Sequence, residues 1–346
     1  MDNETQKNFF EDLELDNGKV VLNIKQIKEI NVDDEKINCF VNNSCSYNKL
    51  FDFYDVTNTI VELGKKFYRR LKISKSNIFN VYQIREDIIL NKGNIAESFS
   101  KDIVEFIKNN YIPYNIASSD FSILYFVIDC IFIYQILEIK KKILEIQLRN
   151  KSYLKEDVSS KDSINFCKQE FSQKVKIINR CYTVIHNILE FMLKKEEYIN
   201  TDKKKEYSNI QKNMLFSAME DVRQITIEDI LTNTNNFQNF NKLFALSINM
   251  YSEFDEIGSI TINNLTYSCS KNKFLSYMCS DSIMAIAYYG VTMLLIANSN
   301  YNTAICSNPD CYNLFEKKGH TNQCGTCLDK NKGRNTKNYI KKLHSL

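Results

Sequence analysis

Four cysteines near the C-terminus of this 346-residue chain have the spacing of a metal site. Cys306 and Cys311 form a C-x4-C pair, Cys324 and Cys327 form a C-x2-C pair, and twelve residues separate the two pairs. Each short pair can turn back so that two sulfurs reach one ion, and four thiolates in a tetrahedron are a ligand set that structural Zn²⁺ takes. We therefore expect a closed, structural zinc site with no open position for catalysis.

Other uses of these residues remain as alternatives. His320 lies four residues before Cys324 and is an alternative ligand in a site of three thiolates and one imidazole. An iron–sulfur cluster is less common in a short tail with charged neighbours. Disulfides are disfavoured, because eleven cysteines is an odd number and the first residues lack the basic and apolar regions of a secretory signal. We expect a reducing, cytoplasmic compartment.

The chain becomes basic after the last of these cysteines. The formal net charge of the whole protein is only +3, so a nucleic-acid-binding surface requires local clustering, and residues 328–346 hold six cationic side chains against the single acid Asp329. A helix over 338–346 would place cations on one side with an aromatic between them, which suits phosphate contacts and base stacking. The candidate nucleic-acid-binding residues are Lys330, Lys332, Arg334, Lys337, Tyr339, Lys341 and Lys342. The alternative is a solubilising terminus.

This tail resembles two known kinds of zinc finger. The C-x4-C pair, Phe315, the C-x2-C pair and a following Lys/Arg/Asn-rich segment with a tyrosine are similar to the C-terminal four-cysteine fingers of uncharacterised proteins from low-GC Gram-positive bacteria. The resemblance spans about residues 304–342 and extends more loosely to the CGNR fingers of transcription regulators. That class has Gly-Asn-Arg after its last cysteine, whereas this chain has Leu-Asp-Lys. The resemblance implies nucleic-acid binding, in regulation or in a phage or mobile-element role.

Two further functions are alternatives to nucleic-acid binding by a finger. Arg180 and His186 lie on a predicted helix and resemble the R-x4-6-H signature of HEPN ribonucleases, although Cys181 stands where that family usually has a polar residue. The resemblance implies a metal-independent enzyme in which His186 moves the 2′-hydroxyl proton and Arg180 stabilises phosphate charge. The third possibility is a protein-interaction module with a purely structural zinc site. The sequence leans towards a protein that is not an enzyme.

The composition predicts a mostly helical body that positions these residues. Two prolines and eight glycines leave few strong breakers, and an apolar fraction of 44% can fill a core. We predict a mainly α fold with a small mixed α/β region over residues 1–54 and a multi-helix bundle over 55–300. A break near 111–114 contains the first proline, and the zinc finger with its basic tail occupies 301–346.

Short β elements are predicted at two places. Residues 20–24 and 37–41 are β-prone runs that favour a small N-terminal sheet or hairpin. Residues 259–268 alternate β-branched and polar side chains around Asn263 and Asn264, which predicts a second hairpin with a two-residue turn. These elements add a minor β component to the helical body.

Helical periodicity covers most of the remaining body. One apolar face runs from Val56 to Leu71, and a long helix over 119–149 is apolar nearly all round, as expected of the centre of a bundle. The Asn-rich run at 233–241 predicts a surface loop between helices. Residues 274–298 predict a last helix, in which Gly290 allows a close helix contact.

Two apolar runs have nearly the length of a membrane span. Residues 120–139 contain Asp129 in the middle and Gln135 near the end, and residues 282–297 are short for a span of about 20 residues. Both runs are therefore predicted to be buried core helices. The three lysines at 140–142 are interpreted as the place where the first helix emerges into water.

Overall fold

A computed structural model describes most of the chain. The described residues are 13–33, 36–71, 95–109, 113–114, 120–153, 185–186, 188–189, 205–254, 260–268, 273–280, 282–296 and 303–329. Helix dominates them, as the composition predicts, and the strands form two small sheets.

The described part contains seven helices of six or more residues and seven strands. The helices are α1 (Phe53–Arg70), α2 (Ile95–Lys108), α3 (Ile123–Tyr153), α4 (Lys205–Gln224), α5 (Ile227–Thr232), α6 (Asn235–Phe254) and α7 (Ile283–Ile296). The strands are β1 (Leu13–Val32), β2 (Lys36–Asp52), β3 (Asp120–Ser122), β4 (Ile260–Ser268), β5 (Lys273–Ser280), β6 (Thr303–Ile305) and β7 (Leu314–Glu316).

The larger sheet joins the N-terminal strands to two strands from residues 260–280. Its strand order is β3-β2-β1-β5-β4, with β1 antiparallel to β2 and parallel to β5. The N-terminal hairpin is much longer than the runs at 20–24 and 37–41 that predict it, since β1 and β2 have 20 and 17 residues. Exposed polar residues such as Glu29 and Asn31 continue the pairing with β2, so apolar runs alone underestimate the strand length.

The second hairpin has its turn at a different place from the predicted one. Asn263 and Asn264 lie inside β4, at a register shift between Asn263 and Leu265, and β4 continues to Ser268 before it pairs back with β5. A two-residue asparagine turn at this place is therefore wrong. The asparagines produce a bulge, in which an extra residue is accommodated in the strand without reversing its direction.

The last helix begins later than the sequence predicts. Residues 273–280 form β5, where aromatic and β-prone side chains pair with both β1 and β4, so tertiary pairing overrides the helical expectation. Helix α7 then starts at Ile283, and the Ser282 hydroxyl accepts a hydrogen bond from the Ala285 N–H at 3.2 Å. This serine is an N-cap that marks the true start of the helix.

The Asn-rich run at 233–241 is a helix, with the exception of its first two residues. Asn233 has the left-handed φ of 54° that ends α5, and the Thr234 hydroxyl accepts from the Phe237 N–H at 3.4 Å to begin α6. Phe237, Phe240 and Phe244 then fall on one buried face. The apolar spacing of these three aromatics outweighs the weak helix propensity of asparagine.

Helix α1 lies at the centre of the body, where it packs against both α3 and α7. A Cβ atom on Gly64 would overlap the carbonyl group of Cys130 in α3, and one on Gly290 of α7 would lie 2.6 Å from the Thr57 hydroxyl oxygen. The predicted close contact at Gly290 is therefore confirmed. Two glycines thus set the distances at which the central helices pack.

Helix α3 is largely buried over residues 123–144, as its apolar composition predicts. Its fully buried Asp129 accepts hydrogen bonds from the hydroxyls of Tyr114 and Tyr288, each at 2.7 Å. The Pro113 carbonyl, in the predicted break, accepts from the Met284 N–H at 2.9 Å and so fastens this segment to α7. The core therefore accommodates a carboxylate because neighbouring segments supply donors.

Neither apolar run is a candidate membrane span in the structure. Among the described helices, none combines the length and the apolar character that crossing a bilayer requires.

Candidate metal centre

A two-stranded hairpin positions the first cysteine pair. Strands β6 and β7 are antiparallel, and Cys306 follows β6 directly. The Cys306 N–H donates to the Asn313 carbonyl at 2.9 Å, and the Cys311 N–H donates to the Asn308 carbonyl at 3.0 Å. These bonds fold the x4 segment into a tight turn, so both thiols of the pair face the same side.

The second cysteine pair lies at the start of a short helical turn over residues 325–329. The N–H groups of Cys327 and Leu328 both donate to the Cys324 carbonyl, at 3.1 and 3.0 Å. The Ser307 N–H donates to the Asn322 carbonyl at 2.8 Å and so connects this segment to the first turn. We call residues 303–329 the four-cysteine module.

The four thiols converge on one point. Their Sγ atoms all lie within 4.8 Å of one another, and those of Cys311 and Cys324 are 3.7 Å apart. A tetrahedral site with Zn–S distances of about 2.3 Å has sulfur–sulfur edges of about 3.8 Å. The described cysteines form no disulfide. The thiols are therefore within about 1 Å of the arrangement that a tetrahedral metal ion requires.

Nitrogen donors surround the sulfurs. The Cys324 N–H donates to the Cys306 Sγ at 3.4 Å, and the Asn308 side-chain amide donates to the Cys327 Sγ at 3.3 Å. Such donors stabilise negative charge on a thiolate and fix its direction. Cys306, Cys324 and Cys327 are buried, which shields the site from water.

The pKa shifts of the clustered thiols indicate that a cation is needed to hold them as thiolates. Burial raises the pKa of Cys311 and Cys324, and the charge of the neighbouring Cys306 raises both further. For Cys327, burial acts in the same direction, but hydrogen bonds, first that from Asn308, lower its pKa overall. Four thiols this close together cannot all be charged unless a metal ion compensates them.

The module is fastened to the body by a buried lysine. Lys141 of α3 is 5% exposed, and its ammonium donates to the backbone carbonyls of Asn308, Pro309 and Cys311. The Lys141 Nζ atom also lies 4.8 Å from the centre of the Tyr312 ring. The interpretation of residues 140–142 as emerging into water is wrong for Lys141, since the turn between Cys306 and Cys311 covers its charge.

Helix α1 makes the second contact with the module. The Asn58 side chain donates to the Leu314 carbonyl at 3.1 Å and accepts from the Leu314 N–H at 2.7 Å, as a neighbouring strand would. Lys65 donates to the Asp310 carbonyl at 2.9 Å. Sequence reasoning missed these residues, because their partners lie about 250 positions away and nothing local marks them.

The other cations of α1 are largely used within the body. Lys66 and Arg70 each contact a carboxylate oxygen of the buried Asp102 at 2.6 Å, whereas Arg69 is exposed. Lys66 and Arg70 thus tie α1 to α2 and do not contribute to a free cationic surface.

The remaining predicted site residues lie elsewhere. His320 is an exposed turn residue outside the four-thiol cluster. His186 is half-buried in a helical segment, and its proposed partner Arg180 lies outside the described residues. The same is true of the nucleic-acid-binding candidates Lys330, Lys332, Arg334, Lys337, Tyr339, Lys341 and Lys342.

The other described cysteines lie outside the module: Cys39 and Cys130 are buried, and Cys279 is half-buried. Cys39 is buried in β2, and burial raises its pKa to about 11, so it is a poor nucleophile or ligand.

No known protein family, curated protein or solved structure matches this chain. We therefore infer the function from the chemistry of the four-cysteine module and of the basic segment after it.

Proposed function

We propose that the four-cysteine module is a zinc finger that binds one structural Zn²⁺ ion, and that the chain binds nucleic acid through this finger and the basic segment after it. The zinc ligands are Cys306, Cys311, Cys324 and Cys327. The proposal requires a reducing compartment, since the ligands must remain thiols.

The convergence of four thiols carries the zinc assignment. A sulfur–sulfur distance of 3.7 Å fits the edge of a zinc tetrahedron and is far too long for a disulfide. Soft thiolate ligands favour Zn²⁺ over Mg²⁺ or Ca²⁺, which take oxygen ligands. Four sulfurs fill the coordination shell, so the ion stabilises the module and has no position free for a substrate.

The charge distribution supports nucleic acid as the partner. The body commits Lys66, Arg70 and Lys141 to internal contacts, whereas residues 328–346 gather six cations around one aromatic and one acid. Cations in this density favour a phosphate backbone, and Tyr339 offers a face on which a base can stack.

Metal analysis tests the zinc site. Purified full-length protein should contain about one zinc per chain by elemental mass spectrometry. The double variant Cys324→Ser, Cys327→Ser should lose it, whereas Cys39→Ala removes a buried thiol outside the cluster and should retain it. Wild-type protein that is folded and free of metal would contradict the assignment.

Salt-dependent binding tests the nucleic-acid partner. Fluorescence anisotropy with labelled single-stranded DNA, duplex DNA and RNA should show affinity that falls steeply with salt, with a logarithmic slope of up to about −5 on duplex DNA if all six cations contact phosphates. Lys341→Gln with Lys342→Gln should reduce the slope by about 2. The matched control is Lys28→Gln, at an exposed lysine of β1, which should leave it unchanged. Equal binding after removal of residues 330–346 would refute the proposal.

The docking of the module supports a second candidate, an interaction protein in which the zinc site caps the helical body. Lys141 and Asn58 hold the module through its backbone, an arrangement that a purely structural cap also needs. This candidate predicts zinc without salt-dependent nucleic-acid binding. The two experiments above therefore distinguish it from the favoured function.

A further inference from the structure

Three consecutive lysines of α3 lie in three different environments. Side chains one residue apart leave an α-helix about 100° apart, so neighbours in sequence face different surroundings. Lys142 is exposed and its Nζ lies 3.3 Å from the Glu138 carboxylate. Lys141 is bound by the carbonyls of the four-cysteine module. Lys140 lines a small apolar cavity.

The cavity lies where α3, α5, α6 and α7 meet. Its lining includes Ile136, Ile230, Phe240, Phe244 and Leu295, and its volume is about 20 Å³. Lys140 is the one titratable side chain among the described lining residues, and it makes no hydrogen bond or ion pair within the described part of the chain. A partly exposed lysine thus meets apolar side chains without a charged partner.

This setting makes the Lys140 amine unusually available as a nucleophile. Burial among apolar groups disfavours the ammonium ion and lowers the pKa of Lys140 to about 8. At pH 7.5 about a quarter of the amine is then neutral, compared with about 0.1% for an unperturbed lysine. A desolvated lysine beside an apolar surface is a recognised form of activated nucleophile.

We propose that Lys140 is a modification site that accepts a small acyl group, acetyl in size, from an activated donor of the acyl phosphate or acyl thioester class. The neutral amine attacks the carbonyl carbon, a C–N bond forms, and the C–O or C–S bond to the phosphate or thiol breaks with its electron pair. One proton passes from nitrogen to solvent, and no redox step occurs. The resulting amide is neutral, so its apolar surroundings no longer impose the desolvation cost of an ammonium charge.

The size of the cavity sets the acyl class. A volume of about 20 Å³ holds a group of one or two heavy atoms, well below the several hundred Å³ of a pocket for a larger ligand. An acetyl methyl group meets this limit, and a longer chain exceeds it. This inference is independent of the nucleic-acid function.

Competitive labelling of the zinc-loaded full-length protein tests the proposal. The protein is treated with acetyl phosphate in one arm and a simple acetyl thioester in the other, at pH 7.5, and acetylation is followed by peptide mass spectrometry. Lys140 should react about tenfold faster than Lys142. This ratio already allows for the lower basicity of the Lys140 amine, which makes its neutral form a weaker nucleophile. A preference in one arm alone supports the proposal and identifies the donor. Equal or slower reaction at Lys140 in both arms, or reaction only after unfolding, overturns it.

Stability gives a second readout that does not depend on labelling. Lys140→Gln carries the neutral amide of the acylated side chain and should raise Tm, whereas Lys140→Arg retains the charge and should not. Lys142→Gln, at the exposed neighbour, is the control and should leave Tm unchanged. A fall in Tm for Lys140→Gln overturns the proposal, because it would show that the charged amine is favourable at this place.

Discussion

Replacing Lys141 by methionine tests whether the four-cysteine module and the body act as one thermodynamic unit. Methionine retains the length and apolar stem of lysine but removes the donors that reach the carbonyls of Asn308, Pro309 and Cys311. It also removes the cation that lies 4.8 Å from the centre of the Tyr312 ring. The turn between Cys306 and Cys311 then loses its link to α3, although all four cysteines of the cluster remain.

The size of the effect follows from the burial of the ammonium. Hydrogen bonds to a charged group contribute about 1.5–3 kcal/mol each, and a cation–π contact adds about 1 kcal/mol. The desolvation of a lysine that is 5% exposed offsets several kcal/mol of that sum. A net loss of about 2–4 kcal/mol remains, and it corresponds to a fall in zinc affinity of roughly 30-fold or more if docking and metal binding are coupled.

The assay is zinc competition against a chromophoric chelator, together with thermal unfolding followed by circular dichroism. Lys141→Met should weaken zinc binding and lower Tm in parallel. Lys142→Met changes the adjacent exposed lysine and should alter the free energy of unfolding by less than about 0.5 kcal/mol. Zinc affinity and Tm equal to those of the Lys142→Met control would refute the coupling.

Three other predictions concern the body. Gly64→Ala should destabilise by about 1–3 kcal/mol in chemical denaturation because its Cβ overlaps the α3 backbone, whereas Gly325→Ala, where a Cβ meets open space, should change stability little; equal effects would contradict the packing argument. Asp129→Leu leaves the Tyr114 and Tyr288 hydroxyls without this acceptor and should cost about 2–4 kcal/mol by the same measurement, and an unchanged stability would show that the hydroxyls find other partners. The Lys140 amine loses its proton near pH 8 in the folded chain and near 10.5 when unfolded, so the unfolded chain binds more protons between these values. The stability of the wild type relative to Lys140→Met should therefore rise by about 2–3 kcal/mol from pH 8 to 10.5, and a flat difference would exclude the shifted pKa.

The four-cysteine cluster could be predicted from sequence because its geometry is local. Cys306 with Cys311, and Cys324 with Cys327, are each close enough in the chain for a short turn to bring two sulfurs together, and only one loop remains to be closed between the pairs. Helix α3 could be predicted from sequence as well, since an apolar stretch of this length indicates a buried helix irrespective of its neighbours. The placement of Gly290 at a close helix contact follows from the absence of a side chain.

Features that depend on distant partners could not be predicted in this way. The run at 140–142 has the composition of a solvated helix end, but Lys141 is bound by carbonyls 167 to 170 positions away and Lys140 faces an apolar cavity. Likewise β5 is a strand because β1 and β4 supply edges on both sides. Local propensity was a poor guide wherever tertiary contacts supplied the stronger interaction.

The pairing of Asn58 with Leu314 has a consequence for association between molecules. A short two-stranded hairpin normally leaves an edge whose free N–H and carbonyl groups can recruit a strand from another chain. At Leu314 both groups are already bonded to one amide side chain from α1. A helix thus protects the β7 edge at this residue, and a second copy of the chain cannot add a strand there without first displacing Asn58.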